Sequence, residues 1–467
     1  MRSSMFVVSR VALSFALACA CAAHADEAVV PQAVPSSRTL LVPNVPPSND
    51  TCAGTIPLAL GVPVAATTVE AGNDYTLSGT ACFTANGAIG NAATTATGSD
   101  VVYAFTAPQG AGYTFRLTEP SGASDLALYT ASTCPMAPAT VATCLQAANR
   151  NSVQASEIVN CQPLGAGQTI FVYVDANNDV TVPFRLEVDL CASEAEPNGT
   201  PATSNALAFE LTGSIQAMAD VDFYSLGNPV AGSRVFALAD GSASNGSNYD
   251  LRVTSAVDTL QFDEGSAAYP FGNLSPSIAG TPLPGVPVFL RVNQNSATAV
   301  TEPYRLAFKV QPPLGNAALE SEPNDSVAEA AARPLELYVR GALATPTDVD
   351  LYAIDANPGV ELFVSLDADP LRNATPFDAT LELRDSAGVI LLTAGDTTTT
   401  SNSAPGAGSL TASTPNSPSE ALVYRVPADA GPRFFAAVTS SASVSAGDYL
   451  LSIDARDGVQ LFRNGFE

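Results

Sequence analysis

The sequence predicts an all-β protein made of three tandem antiparallel β-sandwich domains of the jelly-roll type. Three observations support this class. Short runs of alternating or β-branched residues recur between clusters of Gly, Pro, Asn and Asp, and long helical periodicity is missing. A short acidic phrase recurs at a fixed spacing, which indicates an internal repeat. Hydrophobic residues make up 46% of the chain and charged residues 14%, a balance typical of a folded protein.

The N-terminus is typical of a signal peptide covering residues 1–25. Arg2 and Arg10 are the basic residues of this segment, and an apolar run extends over residues 11–23. The small residues around Ala25 then favour cleavage after it. A buried apolar helix fits less well, because the run lies at the extreme N-terminus and ends in small residues. Export to the cell surface or the medium is therefore expected.

Two further features bear on anchoring. Cys19 and Cys21 suggest a lipoprotein as a minor alternative, but Ala16 and Ala18 stand where a lipobox has Leu. Residues 26–47 form a Pro-rich linker without periodicity. No later stretch reaches the ~18 apolar residues that cross a bilayer, so no transmembrane segment is expected.

The cysteines left after cleavage are even in number and lie only between residues 52 and 191: Cys52, Cys82, Cys134, Cys144, Cys161 and Cys191. In an exported chain this pattern predicts disulfides with no free thiol. Spacing does not select the connectivity, and pairing of neighbours in chain order is our hypothesis. Zinc is the competing interpretation, but no C-x2-C pair is present. The restricted distribution also marks a domain boundary near residue 192.

The predicted strands follow in chain order, each with side chains alternating between two faces as two packed sheets require. The clearest runs are Tyr113–Leu117, Ile170–Val174, Phe184–Val188, Val288–Val292, Tyr304–Phe308, Leu362–Leu366 and Leu381–Leu383.

The internal repeat defines the domains. Two units open with the phrases EAEPNGT (from Glu194) and ESEPNDS (from Glu320), and 126 positions separate Glu196 from Glu322 (322 − 196). Each phrase is followed by a D-x-D-x-Y strand. The first unit has the degenerate forms NDTC (from Asn49) and DVVY (from Asp100). We therefore predict β-sandwiches at 48–192, 193–314 and 315–456, separable near 192 and 315, and a C-terminal tail at 457–467.

With these motifs the sequence resembles the bacterial pre-peptidase C-terminal domain family. The resemblance covers nearly all of 48–456 and implies β-sandwiches of about a hundred residues, appended to secreted proteases and other exported enzymes. Here three copies fill the mature chain and leave no room for a catalytic domain. The second copy departs from the motif at Gly199, where Asp is expected, and the first lacks the Glu-Pro pair.

Composition excludes most catalytic chemistry. The one histidine, His24, lies in the signal peptide, so the mature chain cannot assemble a Ser-His-Asp or Cys-His site. Lys309, the one lysine, sits in a strand pattern, and no aspartic-protease signature is present. The chain has enough acidic residues to supply the paired carboxylates of a glycoside hydrolase, but it has no Trp for a sugar-binding platform. We expect no enzyme. The net charge of −26 also disfavours nucleic acid as a partner.

Calcium is the ligand with a physical basis, because hard cations take carboxylate and carbonyl oxygens from loops. The opening phrase and the D-x-D-x-Y strand of one unit would place such oxygens together. The third unit offers Glu322, Asn324, Asp325, Asp348 and Asp350, and the second offers Glu194, Glu196, Asn198, Asp220 and Asp222. The alternative is that these residues cap turns and form a solvated surface.

The function predicted from the sequence is a secreted or cell-surface, non-catalytic β-sandwich array for binding, adhesion or spacing, with an extracellular protein or glycan as ligand. The alternative is an accessory or inhibitor-like partner of an exported peptidase. Residues 395–421, rich in Thr, Ser and Pro, are expected to be a long exposed loop. The tail ends in FRNGFE, from Phe462, and its role is not readable from the sequence.

Overall fold

The structure is a computed structural model. It describes residues 45–457 except 78–94, 119–125, 150–156, 177–180, 182, 208–210, 216–218, 242–248, 265–274, 295–302, 331, 334–336, 396–407 and 427–429. The predicted signal peptide, most of the linker, Cys82 and nearly all of the tail lie outside these residues. Among the described residues, no helix is long and apolar enough to span a membrane.

The chain consists of β-strands joined by turns, as predicted, and α-helix is absent from the part that the structure describes. Short 3-10 turns occupy Cys52–Gly54, Leu314–Asn316 and Ser441–Ser443. The strands of the first repeat are β1 (Ile56–Leu58), β2 (Val64–Thr67), β3 (Tyr75–Leu77), β4 (Val101–Thr106), β5 (Ala111–Thr118), β6 (Leu126–Ala131), β7 (Ala139–Val141), β8 (Cys144–Ala148), β9 (Glu157–Leu164), β10 (Thr169–Ala176) and β11 (Pro183–Ser193).

The second repeat contributes β12 (Asn205–Ala206), β13 (Leu211–Ser214), β14 (Val221–Gly227), β15 (Arg234–Asp240), β16 (Tyr249–Thr254), β17 (Thr259–Glu264), β18 (Ser277–Pro282), β19 (Val288–Gln294) and β20 (Pro303–Gln311). The third contributes β21 (Ala318–Leu319), β22 (Ala332–Arg333), β23 (Leu337–Ala342), β24 (Val349–Asp355), β25 (Val360–Asp367), β26 (Ala379–Arg384), β27 (Ile390–Ala394), β28 (Ser419–Arg425), β29 (Arg433–Ser440) and β30 (Asp448–Asp457). All seven runs singled out in the sequence lie within strands.

One five-stranded sheet recurs in each repeat with the same strand order. The orders are β1-β4-β10-β6-β8, β12-β14-β19-β16-β17 and β22-β24-β29-β26-β27. In each sheet the first pair is parallel and the remaining pairs are antiparallel. The repeat found in the sequence is therefore also a repeat of topology.

The opposing sheets of the first two repeats are continuous with each other. They form an eight-stranded sheet, β18-β15-β20-β13-β11-β5-β9, with β2 also pairing β11. The end of β11 joins the repeats, because Ala192 and Ser193 pair in parallel with Leu211 and Thr212 of β13. The third repeat closes its sandwich with a separate sheet, β21-β23-β30-β25-β28. The predicted boundary at 192 thus falls inside a strand.

Each repeat buries its own apolar core between its two sheets. The first repeat carries an additional layer on the outer face of its five-stranded sheet. There a small parallel sheet, β3-β7, covers a cluster that includes Tyr75, Tyr129 and Tyr173. The rings of Tyr129 and Tyr173 are stacked at 4.7 Å.

Two disulfides lie in the first repeat, Cys52–Cys134 and Cys161–Cys191. Pairing in chain order is right for the second bond and wrong for the first, because Cys52 bonds across the outer layer to a residue 82 positions away. Cys144 is also disulfide-bonded, and its partner lies outside the described residues.

The repeats pack against one another within a single compact unit, Val45–Glu467. Residues 408–417, here called the strap, belong to the third repeat but lie along β17, the edge strand of the second. Thr259 N donates to Ser409 O (2.9 Å), and Phe262 N donates to Pro415 O (2.8 Å). The prediction of an exposed loop at 395–421 is therefore wrong for the largely buried residues 415–421, whereas residues 408–414 are exposed or half-buried although they follow a sheet edge.

Candidate functional site

The acidic phrase that opens the second repeat folds against the start of β14. Ligand oxygens of Glu194, Glu196 and Asp222 all lie within 4.8 Å of one another. Asn198 is fully buried beside them, and its backbone N donates to Glu196 Oε2 (2.9 Å). The opening phrase and the D-x-D-x-Y strand thus converge, as the sequence predicted. Asp220 is outside this group, and its Oδ1 accepts a hydrogen bond from Val221 N.

Two tyrosines form the inner wall of this acidic group. Tyr304 donates to Asp222 Oδ2 (2.5 Å), and Tyr224 donates to Glu194 Oε2 (2.6 Å). The two hydroxyls also contact each other at 2.6 Å. Gly213 permits this approach, since a Cβ there would lie 2.3 Å from the Tyr224 hydroxyl.

Two buried oxygens in the second-repeat group have no hydrogen-bond partner. They are Asp222 Oδ1 and Asn198 Oδ1, and both residues are 0% exposed. An unpaired buried oxygen is costly, so such atoms usually have a partner such as water or an ion. Burial, and next the Glu194 carboxylate, raise the pKa of Asp222 to about 9. Burial also raises the pKa of Glu194.

The third repeat forms a larger acidic group around Asp350. Oxygens of Glu320 and Glu322 converge with it on one side, and oxygens of Asp325 and Asp348 converge with it on the other. Asp350 is fully buried and belongs to both sets. All five residues predicted for this repeat are therefore brought together, and the side chain of Asn324 lies between those of Glu322 and Asp350.

Asn324 faces the two carboxylates directly. Its side-chain amide lies 3.0 Å from Asp350 Oδ1 and 2.9 Å from Glu322 Oε2. With its nitrogen toward them the amide donates to both carboxylates, and with its oxygen toward them it would add a third ligand oxygen to a bound cation. Burial first, and then the charges of Glu320 and Asp348, raise the pKa of Asp350 to about 8 against the lowering hydrogen bond from Tyr449.

The tyrosine wall recurs in the third repeat. The Tyr449 hydroxyl donates to Asp350 Oδ2 (2.7 Å), and Glu320 Oε2, 3.0 Å away, is a second acceptor within reach of the same hydroxyl. The Tyr352 hydroxyl lies 2.5 Å from that of Tyr449. A Cβ at Gly341 would lie 2.3 Å from both Glu320 Oε2 and the Tyr449 hydroxyl.

Among its described residues, the first repeat has no acidic group at the equivalent position. The backbone register follows from equivalent hydrogen bonds: Val102 N to Asn49 O, Phe223 N to Asn198 O and Leu351 N to Asn324 O. This register places Val101 where the other repeats have a buried aspartate, and Pro47 where they have the glutamate before proline. Asp100 is one position out of register with the motif. Its Oδ2 instead accepts hydrogen bonds from Asp74 N (2.8 Å) and Tyr75 N (2.9 Å).

Sequence reasoning missed two kinds of residue at these sites. Glu320 belongs to the third group, and the alternation in Glu-x-Glu, which places both carboxylates on one side of an extended segment, could have identified it. Tyr304 and Tyr449 come from the closing strands, about eighty or more positions from the acidic phrases in sequence. No local signal connects them to the site.

The donor atoms of these groups are of the kind that a hard cation prefers. The ligand atoms are carboxylate and amide oxygens, and about six to eight oxygens suit Ca²⁺. Among the described residues, neither group contains a histidine or cysteine, so the donor set does not suit zinc. The phenol hydroxyls donate to the carboxylates and hold their orientation.

Comparisons with known proteins give limited results. No family model matches the chain, and no curated protein matches it. Among solved structures, the pre-peptidase C-terminal domain of a collagenase from Bacillus anthracis covers 29% of this chain and 100% of its own, at 12% identity and a TM-score of 0.19.

Two other solved structures are similar in part. The PBSX exported protein XepA matches over 52% of this chain and 84% of its own, at 9% identity and a TM-score of 0.18. A triple jelly-roll protein from the turret of an archaeal virus matches over 86% and 97%, at 9% identity and a TM-score of 0.17. All three TM-scores are below 0.5, and the β-sandwich class therefore rests on the strand pairing of this chain.

Proposed function

We propose that this chain is a non-catalytic, calcium-binding β-sandwich protein that acts at the bacterial cell surface or in the medium and binds an extracellular protein or glycan. The observation that carries the calcium assignment is the convergence of carboxylate oxygens in both repeats, and the second group adds two buried oxygens, Asp222 Oδ1 and Asn198 Oδ1, that lack partners. The residues that would hold Ca²⁺ in the third repeat are Glu320, Glu322, Asn324, Asp325, Asp348 and Asp350, and in the second Glu194, Glu196, Asn198 and Asp222.

Calcium would stabilise both groups by the same physical effect. Carboxylates that crowd one another repel, and a divalent cation replaces that repulsion by attraction. The third repeat offers two sets of ligands that share Asp350, whereas the second offers one set because Gly199 stands where the third has Asp325. The third repeat is therefore the stronger candidate.

Disulfides support an extracellular location, because such bonds persist in oxidising compartments. They lie in the repeat that lacks the acidic group. We infer that the repeats are stabilised in different ways: disulfides stabilise the first repeat, and bound cations stabilise the other two.

Thermal melting of the whole mature chain tests the calcium proposal. Ligand at a hundredfold excess over Kd adds about 2.7 kcal/mol to the free energy of unfolding, so melting should occur at higher temperature in calcium than in chelator. Asp350→Asn should remove most of the difference, and Asp222→Asn a smaller part. Asp355→Asn is the matched control, because Asp355 is exposed and pairs with Arg433. Identical melting of the parent protein in calcium and chelator would contradict the proposal.

The binding role and its alternative are separated by a second experiment. A screen of matrix proteins and glycans with the secreted chain, in calcium and in chelator, should give a calcium-dependent ligand. Co-purification of a stable peptidase from culture supernatant, without any such ligand, would favour the accessory or inhibitor-like role instead.

A further inference from the structure

All three repeats meet at one buried group of charges. Glu361 of β25 in the third repeat is the central residue. Its Oε2 lies 3.5 Å from Arg116 of the first repeat and 3.5 Å from Arg305 of the second. One carboxylate oxygen thus contacts guanidinium groups from both other repeats.

A second ion-pair contact joins the first and third repeats directly. Arg425 Nε of β28 lies 2.7 Å from Glu187 Oε2, and its Nη2 lies 3.0 Å from Asp189 Oδ2. Both carboxylates belong to β11 of the first repeat. A linear string of modules would have no contact between its first and third members, so the repeats close into a triangle.

Charges of both signs meet at this point. Four arginines face four carboxylates through contacts of 2.7 to 3.6 Å, and every side chain is at most 15% exposed. We call this set the junction network: Arg116, Arg185, Arg305, Arg425, Glu187, Asp189, Asp240 and Glu361.

The junction network lies between outer faces of sheets that would be solvated in isolated sandwiches. Along β11, the even positions from Phe184 to Val188 point into the core of the first repeat, while Arg185, Glu187 and Asp189 point outward. The third repeat covers this outward face. An apolar cluster that includes Phe236 and Leu238 of the second repeat and Phe363 and Val423 of the third continues the contact.

We propose that the three repeats form one rigid body whose internal orientation is set by the junction network, so that a ligand meets a single composite surface and not three independent modules. The apolar cluster supplies cohesion but little direction. Buried ion pairs are sensitive to geometry, because a displaced partner leaves a desolvated charge unpaired. The network therefore selects one arrangement over the others that the apolar cluster alone would permit.

Scanning calorimetry of the whole mature chain in calcium, together with small-angle scattering, tests this proposal. The parent protein should unfold in one main transition and scatter as a compact particle. Arg425→Gln should lower the main transition by several degrees and resolve it into more than one. The matched control is Arg433→Gln, which removes an exposed Arg–Asp pair within the third repeat and should leave the profile unchanged.

Three outcomes decide the question. Independent transitions in the parent protein would overturn the proposal without reference to any variant. Equal profiles for Arg425→Gln and Arg433→Gln would assign cohesion to the apolar cluster and overturn the role of the network.

If Arg425→Gln is not secreted in folded form, Arg425→Lys keeps the charge without the two-pronged geometry, and its profile should show the same splitting in weaker form. A profile identical to the parent would overturn the role of the network.

Discussion

Asp222 and Asp350 occupy positions where a carboxylate is buried among other acids, so their charged forms are energetically costly. Their pKa values are raised to about 9 and about 8, against an ordinary value near 3.8. Both are placed by a D-x-D-x-Y strand whose alternation turns the second aspartate inward. The sequence therefore predicts that these residues converge with the acidic phrase, but not that they are fully buried.

The raised pKa values predict the pH dependence of the calcium-free protein. A carboxyl whose pKa is higher in the folded state binds protons more tightly there, so its contribution to stability is full at acid pH and is lost as the pH rises through the folded pKa. In chelator, melting temperature should fall as the pH rises from about 5 to 9. Thermal scans at several pH values measure this.

Calcium should compete with protons at the same oxygens, so it should flatten the pH dependence at neutral and alkaline pH. The double variant Asp222→Asn, Asp350→Asn should flatten it in chelator. A slope that is the same in the double variant and the parent would assign the pH dependence to other groups, such as Asp100, whose pKa burial raises to about 7.

Gly341→Ala tests the close approach of the tyrosine wall. The added Cβ would lie 2.3 Å from Glu320 Oε2 and from the Tyr449 hydroxyl. Such overpacking costs about 1–3 kcal/mol, and it should also weaken the calcium response because Glu320 must move. The control is Gly315→Ala, where a Cβ would have no neighbour within 4 Å. Chemical denaturation in calcium and in chelator measures both effects, and equal loss in the two variants would contradict the prediction.

At the scale of elements, alternation in the sequence predicts strands well because one face of each strand packs into a core. The run from Phe184 to Val188 illustrates what alternation predicts correctly and what it does not predict. Its even positions are core residues, as alternation implies, but Arg185 and Glu187 on the other face are buried as well. A polar outer face is typical of a solvated sheet, and only the packing of another repeat explains its burial here.

The strap shows why composition alone misplaces a segment. Ser, Thr and Pro predict an exposed loop because they bury little apolar area. However, the backbone N–H and C=O groups of such a segment pair with the free edge of a nearby sheet whatever its side chains are. Beyond its backbone contacts with β17, the strap is held by Arg252, whose Nε donates to Ala412 O (2.9 Å). Edge strands invite pairing with other chains, and the strap covers this one.

Arg252→Gln should loosen the strap. Hydrogen bonds made by charged groups contribute about 1.5–3 kcal/mol, so proteolysis within residues 408–417 should become about tenfold faster or more. Limited proteolysis followed by mass spectrometry gives the rate at each site. Arg291→Gln is the matched control, because Arg291 and Arg252 both donate to Asn293 Oδ1, whereas Arg252 is the one that also donates to Ala412 of the strap among the described residues. Equal rates in the two variants would mean that the arginine does not hold the strap.

At the scale of the whole molecule, the sequence predicts three repeats but carries no signal for their closure into a triangle. Phe363 and Val423 alternate with core residues of β25 and β28, so they occupy positions that an isolated sandwich would expose to water. Whether such residues are covered depends on a surface more than a hundred positions away in the chain. Long-range packing of this kind has no local pattern in the sequence.

This packing predicts the behaviour of the third repeat when it is produced alone as residues 315–456. Phe363, Val423 and Leu450 are at most 8% exposed in the whole chain and pack partly on Phe236 and Leu238. Removal of the second repeat would leave an apolar patch on a sheet face, and such patches promote association. Sedimentation velocity should therefore show concentration-dependent self-association of the fragment, whereas the whole chain stays monomeric.

The fragment with Phe363→Thr and Val423→Thr should sediment as a monomer, since the same sheet then has a polar face. A parent fragment that remains monomeric at high concentration, with the melting temperature of the whole chain, would show that the third repeat does not depend on its neighbours.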